Sequence, residues 1–401
     1  MAERPDFWGK ITDESVERAR RRIGRRMPAV PAWYREAHPD SMRHFAWSFG
    51  DDNPLFCEPD YADTTRWGSM IASPFYAANL YEPISDPLTA EERARTAHAL
   101  AGLHEFHASS EFWFYKPVVP GDRAFAAKWV SAVDVKESSF GGGKSVLRYI
   151  DEFCETHRRE PIWRHQSMFI HTEREAAKKA GKEKADPTPA YTPADIEEIE
   201  AAVMAEKIRG AQPRYFEDVA VGDAIPTITK GPMTITDIIG SHIGRGPGHY
   251  AWGPLRLAVK KRLSLAGFYT RNEFGAWDVV QRVHWDQDFA RSIGANRIYD
   301  YGTQRLNWLG QAVTDWMGDD AFLVRLRCEF RRFNYIGDLS RISGEIASKN
   351  EADRTVEITL RCVNQNGVDS TPGNATVALP SRADGNPAVR TAPGDWPDIR
   401  R

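Results

Sequence analysis

GDDNPLFCEPDYA, residues 50–62, and VHWDQDFARSIG, residues 283–294, decide how this chain is read. Both carry an acidic residue, a variable position, an aspartate, an aromatic ring and an alanine in that order: Glu58 to Ala62 and Asp286 to Ala290. A second pair of stretches follows them, FYKPVVPGDRAFAAKWVSAV and FRRFNYIGDLSRISGEIAS. Aligning their Gly-Asp pairs sets Gly121-Asp122 opposite Gly337-Asp338 and Phe114 opposite Phe330. In each stretch an alternating, aromatic-rich run leads into the Gly-Asp turn and a strand-like run leaves it. The interval between the two landmarks is about a dozen residues longer in the first half, which the helical EERARTAHAL segment accounts for. An internal duplication explains this better than chance.

Outward from these motifs, the rest of the chain fits two halves. The charged, proline-punctuated EREAAKKAGKEKADPTP reads as a solvated connector. It runs into a helix with Thr192 as N-cap, Pro193 at the first position, Asp195 three residues after the cap and Gly210 at the end. The expected boundaries are an N-terminal domain over 1–172, a linker over 173–212, a C-terminal domain over 213–382 and a tail over 383–401. Each half has a helical stretch before its motif, PDSMRHFAWSFG in one and TITDIIGSHIG in the other, the latter capped by Thr234 or Thr236. Long strands follow: RYIDEFCETH and PIWRHQSMFIHT, then RTVEITLRCVNQNG and NATVALPS. One helix and several antiparallel strands per half predict an α+β fold, a curved sheet wrapped on a helix.

Composition narrows the function classes. The chain has 401 residues, two or three domains at roughly 150 residues each. Its 53 basic and 56 acidic residues leave a net charge of −3 with no basic stripe, which argues against a nucleic-acid binder. No apolar run is long enough to cross a membrane, and the basic N-terminus lacks an apolar segment behind it, so a cytoplasmic protein is expected. Cys57, Cys154, Cys328 and Cys362 are far apart, the spacing of reduced thiols rather than of a disulfide framework or a zinc site.

Residues 50–62 resemble the hydratase motif of the MaoC-like dehydratases, the (R)-specific enoyl-CoA hydratase family. The family pattern, Gly-Asp-x-Asn-Pro-apolar-His followed by the acidic-aromatic-Ala run, is matched by Gly50, Asp51, Asn53, Pro54, Leu55, Tyr61 and Ala62, with Phe56 in place of the His. Residues 283–294 resemble the same run with the His kept, as His284. There the family's Asp falls on Val279, and Asp278 is one position further away. The resemblance implies a double hot-dog fold, two tandem domains packed as a pseudo-dimer, the first a degenerate FAS1-like dehydratase type and the second MaoC-like. It further implies a hydro-lyase that adds water reversibly to a trans-2-enoyl-CoA, with the half that lost its His making room for a bulky acyl chain.

The roles implied are these. His284 and Asp278 hold and activate a water, and the Gly302 N–H holds the thioester oxygen. Asp51, Asn53, Tyr250 and Tyr301 are expected to contact substrate. Other uses stay open: a structural histidine at a strand end, a turn glycine at 302, and an Asp51 that orders its own loop. His242, His249 and Tyr250 fall in an unusual insertion and either line a pocket or pack a loop. The KKR run at 260–262 meets coenzyme A phosphates or forms a solvated helix face. No metal or redox cofactor is expected, coenzyme A being part of the substrate. The expected assembly is a homodimer of tandem chains, or a hetero-oligomer. A thioesterase and a non-catalytic acyl-CoA-binding subunit are the competing readings, since hot-dog domains host several chemistries.

Overall fold

The computed structural model describes the chain except residues 1–4, 28–32, 139–142, 174–186, 247–255, 265, 294, 390 and 401. Its strands are β1 (Tyr81–Ile84), β2 (His104–Phe114), β3 (Ala124–Ser138), β4 (Gly143–Thr156), β5 (Pro161–Thr172), β6 (Ala224–Lys230), β7 (Tyr269–Arg271), β8 (Trp277–Val279), β9 (Phe322–Glu329), β10 (Ser340–Asn350), β11 (Thr355–Asn364) and β12 (Gly373–Ala378). Ten of them form one sheet in the order β1-β3-β4-β5-β2-β9-β12-β11-β10-β6, and β7 and β8 form a separate hairpin. The first five belong to the first copy and the next five to the second. The antiparallel pairing of β2 with β9, from Ser109 opposite Glu329 to Trp113 opposite Arg325, makes one surface of the two. Strand alternation points the small and branched side chains inward: Val356, Ile358, Leu360 and Cys362 on β11 are fully buried. They close on a long helix, Gly302–Met317, in which every residue from Gln304 onward is buried. This is a double hot-dog fold.

The duplication read from the sequence is present in the backbone. At Gly121-Asp122 the glycine has φ +86°, and the aspartate accepts the Val119 N–H at 3.1 Å. At Gly337-Asp338 the glycine has φ +85°, and the aspartate accepts the Tyr335 N–H at 2.8 Å. Only glycine adopts such a φ without strain, so both turns keep it. The motif regions also match. Pro54–Cys57, an extended Glu58 and Pro59–Ala62 in one copy correspond to Val280–His284, Asp286 and Gln287–Ser292 in the other. Ala62 and Ala290 sit at equivalent places with no exposure.

The copies differ at the helix. In the first, the place of Gly302–Met317 is taken by a single 3-10 turn, Tyr76–Asn79, followed at once by β1. Pro74, Pro83 and Pro87 bracket this segment, and proline inside a helix removes a hydrogen bond and clashes with the preceding turn. The edge strand β1 therefore follows the helix remnant and runs parallel to β3, whereas β6 precedes its helix and runs antiparallel to β10. The central helix expected in each half is thus long in the second copy and a short 3-10 turn in the first.

The expected flanking helices form at Pro39–Trp47 and Ile235–Arg245, the latter capped by Thr234. They cross so closely that a Cβ on Gly244 would lie 2.2 Å from that of Ser48. The connector helix, Pro193–Met204, starts on the Thr192–Asp195 capping box. It stops at Met204 rather than at Gly210, because the residues beyond are tied elsewhere. Glu206 accepts the Thr229 N–H, Arg209 donates its N–H to the Asp315 carbonyl, and the Gly210 carbonyl accepts from Asp319. The tail returns to the first copy, where Trp396 packs edge-on against Tyr115 and Phe153. All four cysteines are buried free thiols. Among the described residues no helix is long and apolar enough to cross a membrane.

Candidate active site

His284 ends a 3-10 turn held from both sides. Arg282 is buried and reaches Asp286 at 3.2 Å, while the other Asp286 oxygen caps Gln287–Ser292 through the Phe289 N–H. This fixes the loop on which the imidazole sits. His284 Nδ1 lies 2.8 Å from the Tyr299 carbonyl oxygen. A carbonyl only accepts, so Nδ1 carries the proton and Nε2 keeps a lone pair. Burial pushes the imidazole down to about 3, so the neutral ring persists across physiological pH.

The ring of His284 is 3.8 Å from that of Tyr301, the residue that caps the long helix, and Gly302 is the first helical residue. The Tyr301 side chain makes no capping bond, which leaves first-turn N–H groups to point outward with the positive end of a four-turn helix dipole behind them. The buried Asp300–Arg305 pair, 2.8 Å apart, anchors this corner, and Arg305 also reaches the Arg332 carbonyl and Thr371. A Cβ on Gly302 would meet the Phe330 ring at 3.2 Å, so glycine lets that ring lie on the helix start.

Two further residues complete the corner, Arg245, which the sequence reading missed, and His242, for which it left pocket lining open. Arg245, in the last turn of Ile235–Arg245, stands 4.7 Å over the Tyr301 ring and donates to Thr303 at 3.0 Å. His242 stacks on Tyr301 at 5.1 Å and lies near Trp285. Burial and then Arg245 push its imidazole down to about 4. It belongs to this helix and not to the insertion, a correction to its expected place. A histidine and an arginine three residues apart on a capped helix were the available signal, since that spacing puts both on one face.

His284, Tyr301 and Gly302 are thus brought together, and the remaining expected residues are not. Asp278, on β8, takes the N–H of Val279 at 2.7 Å, and among the described residues no carboxylate lies within ion-pair distance of His284. Asp51 and Asn53 are buried in the first copy, where Asp51 accepts the Asn53 N–H and Asn53 accepts the Leu55 N–H. Those bonds build the loop and start its short helix. Tyr250 and His249 lie outside the described residues. Among the described residues no three His, Cys, Asp or Glu side chains converge as metal ligands.

Asp51 faces the second copy's helix. Lys230 donates to the Phe49 and Gly50 carbonyls at 3.2 and 2.9 Å, and Gln311 to Gly50 at 3.1 Å. Burial raises Asp51 to about 6, and burial together with the charge of Asp51 raises Asp315 to about 8. The position equivalent to His284 holds Phe56, 2% exposed, so no imidazole stands there beside this carboxylate, which is itself 5% exposed.

Comparison with known proteins adds sequence to this geometry. Residues 23–162 match the family described as the FAS1-like dehydratase domain region. A UPF0336 protein of Saccharopolyspora erythraea is 28% identical over 101 residues, 25% of this chain and 61% of that protein. The chain thus spans about three fifths of the length of this curated relative. A solved MaoC-like dehydratase superposes with a TM-score of 0.61 at 13% identity, over 89% of this chain and 98% of the other. A MaoC domain protein dehydratase from Chloroflexus aurantiacus J-10-fl gives 0.54 at 12% identity, over 90% and 96%. At such identities these structures speak for fold. The chain carries a FAS1-like dehydratase region in its first copy, and as a whole it has the tandem hot-dog fold seen in MaoC-like dehydratases.

Proposed function

We propose that the protein is a hydro-lyase adding water reversibly to a trans-2-enoyl-CoA, with its reaction centre in the second copy. The observation that carries this reading is the corner where His284, its tautomer set by the Tyr299 carbonyl, meets the start of the Gly302–Met317 helix. His284 Nε2 accepts a proton from water as the oxygen bonds to the β-carbon. The electron pair moves onto the thioester oxygen, which the Gly302 N–H and the helix dipole stabilise. The α-carbon then takes the proton held by His284, which returns the imidazole to its neutral form and puts both parts of the water on the substrate, giving the 3-hydroxyacyl thioester, of R configuration by likeness to the family. In this proposal Asp278 acts through a shared water, since it does not touch His284. Coenzyme A enters as part of the substrate and supplies binding energy far from the reacting carbons. The assembly that goes with this reading is a dimer of tandem chains.

The test is loss of the conjugated-thioester absorbance on incubation with short and bulky enoyl-CoAs. Hydration that disappears in His284→Ala supports the proposal. Release of free thiol makes the protein a thioesterase instead. Activity that arises only when a second hot-dog chain is added makes it a subunit.

A further inference from the structure

The concave face of the first copy, where its helix is cut short, carries a polar row across four strands. Lys128 on β3 is paired in register with Glu152 on β4, and Glu152 with His165 on β5. His165 Nδ1 is 3.5 Å from Glu152 Oε2, and its Nε2 is 3.2 Å from Ser110 Oγ on β2. The same Ser110 oxygen is 3.0 Å from His107 Nε2. A bulge between His107 and Ser109 makes this possible, because without the extra residue His107 and Ser110 would face opposite sides of the sheet.

Structural need does not explain the row. Charged and polar groups in an interior cost more than apolar side chains of similar size. The face is also not sealed, as the side chains of His165 and Glu152 keep 14% and 12% of their exposure. Ser110, His165 and Glu152 have the order of a nucleophile, base and acid. Ser110, however, is 1% exposed and its oxygen is held by two imidazoles, which suits a relay of hydrogen bonds better than an attacking group.

The direction of that relay follows from its last member. Burial alone would raise the Glu152 carboxyl, but Lys128 and the His165 hydrogen bond hold it down at about 2, so it accepts only. His165 Nδ1–H therefore donates to Glu152, His165 Nε2 accepts the Ser110 hydroxyl proton, and Ser110 accepts from His107 Nε2–H. That same N–H also faces the Ser109 carbonyl at 3.0 Å. Burial keeps His107 neutral, pushing it down to about 3, so its Nδ1 is a bare acceptor. Nδ1 has no hydrogen-bond partner among the described residues. The ring lies stacked on Phe169 at 4.9 Å and beside Phe330 at 4.8 Å, and Phe330 is the ring that rests on Gly302.

We infer that this row recognises a hydroxyl group carried on the distal part of the acyl chain, which donates to His107 Nδ1 while the aromatic rings of Phe169 and Phe330 pack its carbon skeleton. The inference rests on the proposed thioester substrate and narrows it to hydroxylated acyl groups. A plain alkyl chain would desolvate the His107 acceptor without pairing it, and a buried unpaired acceptor weakens binding.

Calorimetric binding of saturated medium-chain acyl-CoAs, with and without an ω-hydroxyl, tests this independently of turnover. Enoyl-CoAs bearing the same two ends test it in kcat/KM. The wild type is expected to favour the hydroxylated member by about tenfold or more. His107→Phe should bring that ratio to about one, and Ser110→Ala, which breaks the relay but keeps His107, should lower it part of the way. Equal binding of the two thioesters by the wild type, or a preference that survives His107→Phe in a folded variant, overturns the inference. Selective binding without hydration sinks the hydratase reading and leaves the inference standing. Hydration without selectivity does the reverse.

Discussion

Two copies of one fold share a sheet here, and they have diverged in opposite directions. The second kept the full Gly302–Met317 helix and placed His284 against its start. The first kept the better match to the motif, Gly50 to Ala62, yet put Phe56 where the imidazole belongs and reduced the helix to Tyr76–Asn79. A well-preserved string thus marks a well-preserved loop. Asp51 and Asn53 cap and brace that loop whether or not any chemistry occurs beside them.

The strongest way to break this contrast is to cut the same position in both copies. His284→Ala should lower kcat/KM for an enoyl-CoA by about 10²–10⁴-fold with an unchanged melting temperature. Phe56→Ala should do the opposite, destabilising the fold by about 3–5 kcal/mol in denaturant titration while leaving the reaction centre in place. If Phe56→Ala abolishes turnover at full stability, the assignment of chemistry to the second copy is wrong.

The contact between the copies gives a smaller effect. A Cβ on Gly310 of the long helix would lie 2.7 Å from the Phe75 ring. Gly310→Val should therefore cost about 1–3 kcal/mol by overpacking. An unchanged denaturation midpoint would show that the helix and the shortened segment are not in firm contact.

The carboxylates at this contact predict a pH dependence. Burial and Asp51 raise Asp315 to about 8 in the folded protein, so the native state binds its proton more tightly than the unfolded chain. The stability this contributes is full below the ordinary carboxylate range and is lost as pH rises through about 8. The wild-type melting temperature should fall over that window, and Asp315→Asn should flatten the decline. Parallel curves for the two proteins would show that Asp315 does not govern it. Smallest of all, Thr192→Ala at the exposed connector cap should cost about 1 kcal/mol or less with no change in substrate preference.

Much of the fold was legible because it rests on local signals. The two Gly-Asp turns need a positive φ, and the acidic-aromatic-alanine runs need a capping acid and a buried small residue. The place of His284 on its loop was legible for the same reason. The loss of the first helix had a signal that went unread, the prolines at 74, 83 and 87. Arg245 and His107 had less. Arg245 reaches the site only because its helix ends beside Thr303, far away in sequence. His107 faces inward only because β2 bulges next to it, and no residue type announces that bulge. Spacing from His284 points to Asp278 as the partner carboxylate, but the Asp278 side chain takes the N–H of Val279 instead.

The junction of β2 with β9 has a further consequence. In a symmetric dimer every substitution is inherited twice, so a change that suits one active centre is imposed on both. Joining the copies in one polypeptide removes that constraint. Lys128, Glu152, His165 and Ser110 can occupy one concave face without appearing on the other, and the second face can keep the apolar packing its helix needs. Fusion gave this sheet a left and a right side on which selection acts separately.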